Sequence, residues 1–155
     1  MSEEDVRRFV EHLAVTLNDL GFPRMPARIL VALTASQAGS MSAAELGEVL
    51  QVSPAAVSTS VRYLMQIGLA VREPSPGSRR DRYRLPDDPW YEAGLLKSKA
   101  LVQLADVVDD GVATVGPDTP AGRRLAEMRD FYRFIERDLE SQLARWRATR
   151  RSPKN

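Results

Sequence analysis

The sequence predicts a mainly α-helical protein that carries one small β-hairpin. Helix-start signals precede apolar residues that recur at three- and four-residue spacing through most of the chain. One short basic segment instead alternates apolar with charged residues, and prolines and a glycine divide it in two. The chain has 155 residues, enough for one domain or for a small domain with helical extensions.

The first two helices are predicted before the middle of the chain. The first ends at Gly21, and its apolar stripe consists of Val6, Phe9, Val10, Leu13, Leu17 and Leu20. The second runs from about 26 to 36 and turns Ile29, Leu30 and Leu33 inward. We expect this second helix to support the elements that follow it.

Two short helices with a tight turn between them are predicted next. Ser42 followed three residues later by Glu45 forms a capping box, where the first of them begins. Its apolar stripe is Leu46, Val49 and Leu50. Only two residues then precede Ser53 and Pro54, an N-cap and a proline at the first helical position. This spacing predicts a helix-turn-helix.

The second helix of the pair has one apolar side and one unusual outer side. Val57, Val61 and Leu64 form the apolar side, and no acidic residue lies anywhere from Ser53 to Arg72. Small side chains allow close approach to a DNA groove, hydroxyls bond phosphates or bases, and arginine bonds guanine or phosphate. The predicted groove-facing residues are Ser53, Ala55, Ala56, Ser58, Thr59 and Arg62. The alternative is that the hydroxyl residues merely tolerate exposure.

A basic β-hairpin is predicted after Gly68, which ends that helix. Its strands are 69–73 and 82–85, and alternation places Tyr83 and Leu85 on one face. A hairpin in this position is a wing, whose arginines would lie along a phosphate backbone. The arginines predicted to do so are Arg79, Arg80 and Arg82. A charged hairpin considered alone is more often a solvated loop.

Positive charge is concentrated in this part of the chain. The whole chain has 22 basic and 21 acidic residues, a net charge of +1. Residues 53–85 contain six arginines against Glu73 and Asp81, and the last eleven residues contain five basic residues and no acidic one. This distribution favours steering toward DNA.

Long helices are predicted after the wing. Asp88 and Pro89 begin one that runs to about Val112, with Leu96, Leu104, Val107 and Val108 inward. Gly116-Pro117-Asp118 breaks it, and Thr119-Pro120 begins a last helix. The apolar positions of that helix are Leu125, Met128, Tyr132, Ile135, Leu139 and Trp146. Residues 149–155 are predicted to be a basic, disordered tail.

The predicted organisation has four parts. Residues 1–22 and 87–148 are dimerisation helices, 23–86 is the winged helix-turn-helix, and 149–155 is the tail. The winged helix-turn-helix alone is too small to cover the apolar faces of the dimerisation helices. These helices either pack on each other within one chain or interlock with those of a second chain. A homodimer would place two recognition helices about one DNA turn, roughly 34–36 Å, apart. The residues predicted at its interface are Phe9, Leu13, Leu17, Tyr132, Ile135 and Leu139.

This arrangement resembles the MarR family of bacterial transcription regulators. The segments that carry the resemblance are AAELGEVLQVSPAAVSTSVRYLMQIGLAVRE and the wing GSRRDRYRL, and together with PARILVAL they look most like the GbsR-type branch. The resemblance implies a homodimer that binds a pseudo-palindromic operator on double-stranded DNA, usually as a repressor. It also implies a small-molecule effector that releases the DNA. Phe22, Met25, Trp90 and Tyr91 are the candidates for such a pocket, or else pack ordinarily.

The residue inventory argues against an enzyme. There is no cysteine, and His12 is the only histidine, so neither a metal site nor a cofactor site is expected. Scattered glycines give no phosphate-binding loop. No apolar run is long enough to cross a membrane, and the acidic N-terminus is not a secretory signal, so a cytoplasmic protein is expected. The remaining alternatives are a winged helix used for protein contact and a non-specific DNA binder.

Overall fold

The computed structural model, which describes residues 2–151, confirms the predicted fold class. Its elements in chain order are α1 (Glu3–Asp19), α2 (Arg24–Ala35), β1 (Met41–Ser42), α3 (Ala43–Leu50), α4 (Pro54–Gln66), β2 (Val71–Glu73), β3 (Arg82–Arg84), α5 (Pro89–Val115) and α6 (Pro120–Arg151). The chain divides into two compact units between Pro89 and Trp90. The first unit therefore contains α1 as well as the predicted winged helix-turn-helix.

Helix α2 lies at the centre of the first unit. Its buried residues are Ala27, Ile29, Leu30, Val31, Ala32 and Leu33, which include the three predicted to face inward. Helix α1 packs on it through Val10 and Ala14, and α4 packs through Val57, Val61 and Leu64. The predicted inward side of α4 is confirmed.

Helix α3 departs from the prediction at one position. Leu46 and Leu50 are buried, but Val49 is 37% exposed. The helix has only eight residues, and Leu46 and Leu50 occupy its core-facing side at a spacing of four. Val49 lies beside that line, so its predicted inward position is wrong.

The three strands form one antiparallel sheet in the order β1-β3-β2. Val71 pairs with Arg84, Glu73 pairs with Arg82, and Met41 pairs with Tyr83. The predicted hairpin is therefore present, although its strands are shorter than expected. Strand β1 was not predicted, because a two-residue strand leaves no alternation to detect.

The second unit is an antiparallel pair of long helices. Gly116, at φ +91°, ends α5, and Thr119 caps α6 by accepting a hydrogen bond from the Gly122 amide at 3.0 Å. Near the far end of the pair, Gly94 lies against Leu143. Helix α6 continues to Arg151, three residues beyond the predicted boundary at 148, and residues 152–155 of the predicted tail lie outside the described chain.

The buried side of α5 differs from the predicted one. Its buried residues are Leu101, Ala105, Val108 and Val112, at spacings of four, three and four. Only Val108 had been predicted among these. Leu96 is 36% exposed and Val107 is 62% exposed, so their predicted inward positions are wrong. Both residues lie on the opposite side of the helix from Ala105, because nine residues of helix make about two and a half turns and two residues make about half a turn.

We predict that Gly122→Ala destabilises the second unit. A Cβ at this position would collide with the Gly116 carbonyl, which is backbone and cannot rotate away. We expect the free energy of unfolding, measured by urea denaturation at fixed protein concentration, to fall by about 1–3 kcal/mol.

Gly111→Ala is the matched control. A Cβ there would lie 3.5 Å from Leu125 Cδ1, an ordinary contact, and alanine favours a helix by up to about 1 kcal/mol. Equal stability of the two variants would contradict the backbone packing described for Gly122.

Candidate nucleic-acid interface

A tight turn between α3 and α4 positions the predicted recognition helix. Gln51 adopts a left-handed conformation, with φ 53° and ψ 49°, and ends α3. The chain then crosses close to Gly47, where a Cβ would lie 3.3 Å from the Val52 carbonyl oxygen. Ser53 begins α4 by accepting a hydrogen bond from the Ala56 amide at 3.2 Å, and Pro54 follows at the first helical position. Both predicted helix-start signals are confirmed.

The predicted groove-facing residues share the outer side of α4. Five of the six are exposed, namely Ser53, Ala55, Ser58, Thr59 and Arg62, and Ala56 is half-buried. The Arg62 guanidinium lies 3.5 Å from Ser58 Oγ, one helical turn away. The outer side of α4 thus carries small and hydroxylic side chains, and Arg62 is its one charged residue.

Two arginines of the wing strands are paired with carboxylates. Arg72 lies 3.5 Å from Asp81 and over the Tyr83 ring, 5.9 Å from its centroid. Arg84 pairs with Glu73 and with Asp87, at 3.3 Å from the latter, and Glu73 raises the pKa of the Arg84 guanidinium. These contacts satisfy the charges of both arginines within the wing region.

Arg82, predicted to contact DNA, bonds other residues of the protein. Its Nε donates to Ser40 Oγ at 2.9 Å and its Nη2 donates to the Ser40 carbonyl at 2.8 Å. The same guanidinium lies 3.0 Å from Glu45, and the backbone amide of Ser42, together with Arg82, holds the pKa of Glu45 below its ordinary value. Arg82 therefore fastens β3 to the capping box that begins α3.

Arg79 and Arg80 differ from the other wing arginines. Both are exposed at the tip, where Gly77 turns the chain at φ +74°. The Arg80 amide donates to Ser78 Oγ at 3.1 Å, which shapes the turn. Within residues 2–151, neither guanidinium has an ion pair with a carboxylate. The wing thus presents two uncompensated positive charges at its tip.

The predicted effector residues are divided between the two units. In the first, the Phe22 and Tyr63 rings pack edge to face with their centroids 6.3 Å apart, and Met25 Sδ accepts a weak hydrogen bond from Arg28 at 3.7 Å. In the second, Trp90 is 50% exposed, whereas the Tyr91 ring is covered by Arg147, 4.5 Å from its centroid. The Tyr91 hydroxyl also accepts from Arg147 at 3.2 Å.

The predicted interface residues also differ in exposure. Phe9 is 55% exposed and Ile135 is 38% exposed, whereas Leu13, Leu17, Tyr132 and Leu139 are half-buried within their own units. The most exposed aromatic residues of α6, Phe131 and Phe134, were not predicted. The three- and four-residue spacing from Met128 through Phe131 to Ile135 is a signal that would have shown this second stripe.

Metal binding and membrane insertion are two further possibilities for a helical protein. Within the described residues no group of three or more His, Cys, Asp or Glu side chains is arranged to hold a metal ion. Among the helices formed by residues 3–151, none is both long and apolar enough to cross a membrane.

We predict that Arg82 and Arg80 have different effects on stability. Arg82→Ala removes the hydrogen bonds to Ser40 and the ion pair to Glu45, so we expect the free energy of unfolding to fall by about 1–3 kcal/mol. Arg80→Ala, the matched control two residues away, should change it by less than about 0.5 kcal/mol. Urea denaturation measures both free energies of unfolding. Equal losses in the two variants would contradict the conclusion that Arg82 is bonded within the protein and Arg80 is not.

Known proteins resemble the chain over nearly its whole length. A MarR family model matches residues 20–81, and a model described as "MmpR5-like MarR family transcriptional regulator" matches residues 88–149. The HTH-type transcriptional regulator MmpR5 of Mycobacterium tuberculosis (strain ATCC 25618 / H37Rv) is 30% identical over 146 residues, which cover 94% of this chain and 88% of that protein.

A solved structure agrees with these matches. A crystal structure described as that of a transcriptional regulator is 29% identical and superposes with a TM-score of 0.81, covering 93% of this chain and 99% of its own. Together with the helix-turn-helix and wing, these relatives identify the protein as a member of the MarR family of transcriptional regulators.

Proposed function

We propose that the protein is a sequence-specific DNA-binding regulator that acts as a homodimer on a pseudo-palindromic operator, as a repressor. The observation that carries this proposal is the distribution of arginines in the first unit. Arg72, Arg82 and Arg84 are paired with carboxylates of the protein, whereas Arg62, Arg79 and Arg80 are exposed on α4 and the wing tip and have no ion pair with a carboxylate of residues 2–151. Exposed arginines beside an acid-free helix face suit a phosphate-lined groove.

The proposal assigns different roles to α4 and to the wing. The residues of a recognition helix that contact base edges lie mainly near its N-terminus. On α4 we assign this role to Ala55, Ser58 and Thr59, and also to Arg62, which lies one turn beyond Ser58. Arg79 and Arg80 would contact phosphates or enter a minor groove, where their charge matters more than the base sequence. Arg82 is assigned to bracing the wing, because its donors are already used by Ser40 and Glu45.

Exposed apolar side chains support the homodimer. Met128, Phe131, Phe134 and Ile135 form an exposed group on α6, and Phe9 is exposed on α1. Monomeric soluble proteins rarely expose a large contiguous apolar surface. Where one is exposed, it usually marks an interaction site. A two-fold dimer would present two recognition helices to two half-sites, which is the reason to expect an inverted repeat.

Two finer parts of the proposal rest on the family resemblance. Release of the DNA by a small-molecule effector stays a proposal, for which Phe22 and Met25 in the first unit and Trp90 and Tyr91 in the second are separate candidates; Arg147 covers the Tyr91 ring. The GbsR-type branch also stays a prediction; one of the matching family models is described as MmpR5-like, and one relative is MmpR5.

Genomic selection tests the function directly. Purified protein is incubated with sheared DNA from its own source, and the retained fragments are sequenced. Recovery of a few sites that share an inverted repeat would support a dimeric sequence-specific regulator. Recovery of random fragments would support a non-specific DNA binder, and recovery of none would favour a winged helix that contacts another protein.

We predict that Arg62→Ala and Arg80→Ala weaken DNA binding in different ways. Arg62→Ala should weaken binding to the operator by about 1–3 kcal/mol and relax the preference for one base, while random duplexes are less affected. Arg80→Ala should weaken all duplexes evenly and reduce the salt slope by about one for each phosphate that it no longer neutralises. Fluorescence anisotropy on operator and random DNA measures both. Identical behaviour of the two variants would refute the separate roles.

We predict that Phe131→Ser combined with Ile135→Ser converts the dimer to a monomer, because it removes two apolar side chains from the exposed group on α6. Val107→Ser is the control, since Val107, at 62% exposed, is at least as accessible as the two substituted residues but lies on α5, outside that group. Analytical ultracentrifugation measures the assembly. A wild-type protein that is monomeric at micromolar concentration, or a double variant that still dimerises, would show that this surface has another use.

A further inference from the structure

One backbone carbonyl at the α3–α4 turn is bonded by a side chain from a distant part of the chain. The last four carbonyls of an α-helix have no partner within it. In α3, the Gln51 and Val52 amides bond the Glu48 and Gly47 carbonyls, at 3.3 Å and 3.1 Å. The Leu50 carbonyl, which is the last, instead accepts a hydrogen bond from Arg28 Nη2 at 2.9 Å.

The Arg28 side chain is also held by a second partner, on another helix. It lies on α2, and its side chain is only 16% exposed. Its Nε donates to Glu11 Oε2 at 2.9 Å, and its Nη2 also donates to the Glu11 carboxylate. Glu11 lies on α1, so one guanidinium joins three helices. The planar fork of arginine makes this possible, because it binds a carboxylate and a further acceptor at once.

The location of this contact gives it a consequence for DNA reading. Leu50 is followed directly by Gln51, whose left-handed conformation sets the direction in which the chain enters α4. A cation at the C-terminus of a helix is also favoured by the helix dipole. Arg28 therefore holds the end of α3 at the point where the recognition helix is aimed, and Glu11 holds Arg28.

We infer that Arg28, held by Glu11, is a positioning residue for DNA recognition that fastens the helix-turn-helix to α1. The inference rests on the proposed function, because a fixed orientation of α4 matters only if α4 reads DNA. Arg28 does not contact the nucleic acid. Its loss reduces discrimination between operator and random DNA while every phosphate contact is kept.

Three variants separate positioning from simple stability. Arg28→Met removes the bond to Leu50 but leaves the Glu11 charge unpaired. Glu11→Leu combined with Arg28→Met replaces the ion pair by apolar side chains, a change that is often neutral or favourable for stability. Arg8→Met is the control for charge, because Arg8 lies on α1 with its side chain 75% exposed and pairs only loosely with Glu4, at 3.9 Å.

The first measurement needs no DNA and is independent of the proposed function. Hydrogen exchange of the amides from Gln51 to Val57 should be faster in both Arg28 variants than in the wild type, and unchanged in Arg8→Met. Unchanged exchange in the double variant would overturn the inference. Faster exchange in a protein for which genomic selection finds no operator would support the fastening of the turn and count against the proposed function alone.

The second measurement uses the operator recovered by that selection. In the double variant, operator affinity should fall about tenfold at unchanged global stability. Its affinity for random duplexes should match that of the wild type, as should its salt slope, because the double variant leaves the net charge unchanged and the same phosphates are neutralised. Arg28→Lys should recover only part of the operator affinity, since an ammonium lacks the fork. An operator affinity of the double variant equal to that of the wild type would show that Arg28 has no positioning role.

Discussion

The burial of one side of α4 is the constraint on which the rest of the structure depends. Val57, Val61 and Leu64 are each at most 1% exposed, and they fix the rotation of the helix against α2. A helix that has one buried stripe has its opposite side determined as well, since side chains repeat every 3.6 residues. That opposite side is the acid-free surface that includes Ser58, Thr59 and Arg62.

Carboxylate neighbours divide the arginines of the first unit into two groups. Where an acid lies within reach, as for Arg82 beside Glu45, the guanidinium is engaged within the protein. Where the guanidinium has no carboxylate partner among residues 2–151, as for Arg79 and Arg80 at the wing tip, the charge remains at the surface and attracts an anion. Arg28 belongs to the first group, and its position at the α3–α4 turn gives a structural contact a functional consequence.

Signals within a few residues allowed much of the fold to be predicted. The capping box at Ser42 and the N-cap at Ser53 with its proline are local, and both predicted the helix starts correctly. The partners of Arg82 could not be predicted, because Ser40 lies 42 residues away and is brought near only by the β1–β3 pairing. The buried side of α5 was predicted incorrectly for a similar reason. Val107 fits an apolar pattern, but the side that is buried depends on where α6 lies.

The salt dependence of DNA binding by the wild-type protein tests the central claim most directly. Two wing-tip arginines in each protomer of a dimer would neutralise about four phosphates, and the logarithm of affinity would then fall with the logarithm of salt concentration at a slope of about −4. Fluorescence anisotropy on a random duplex measures this slope without knowledge of the operator. A steep slope is the result that the account predicts. Affinity that does not change with salt would contradict it, because a surface that binds phosphates must release counterions.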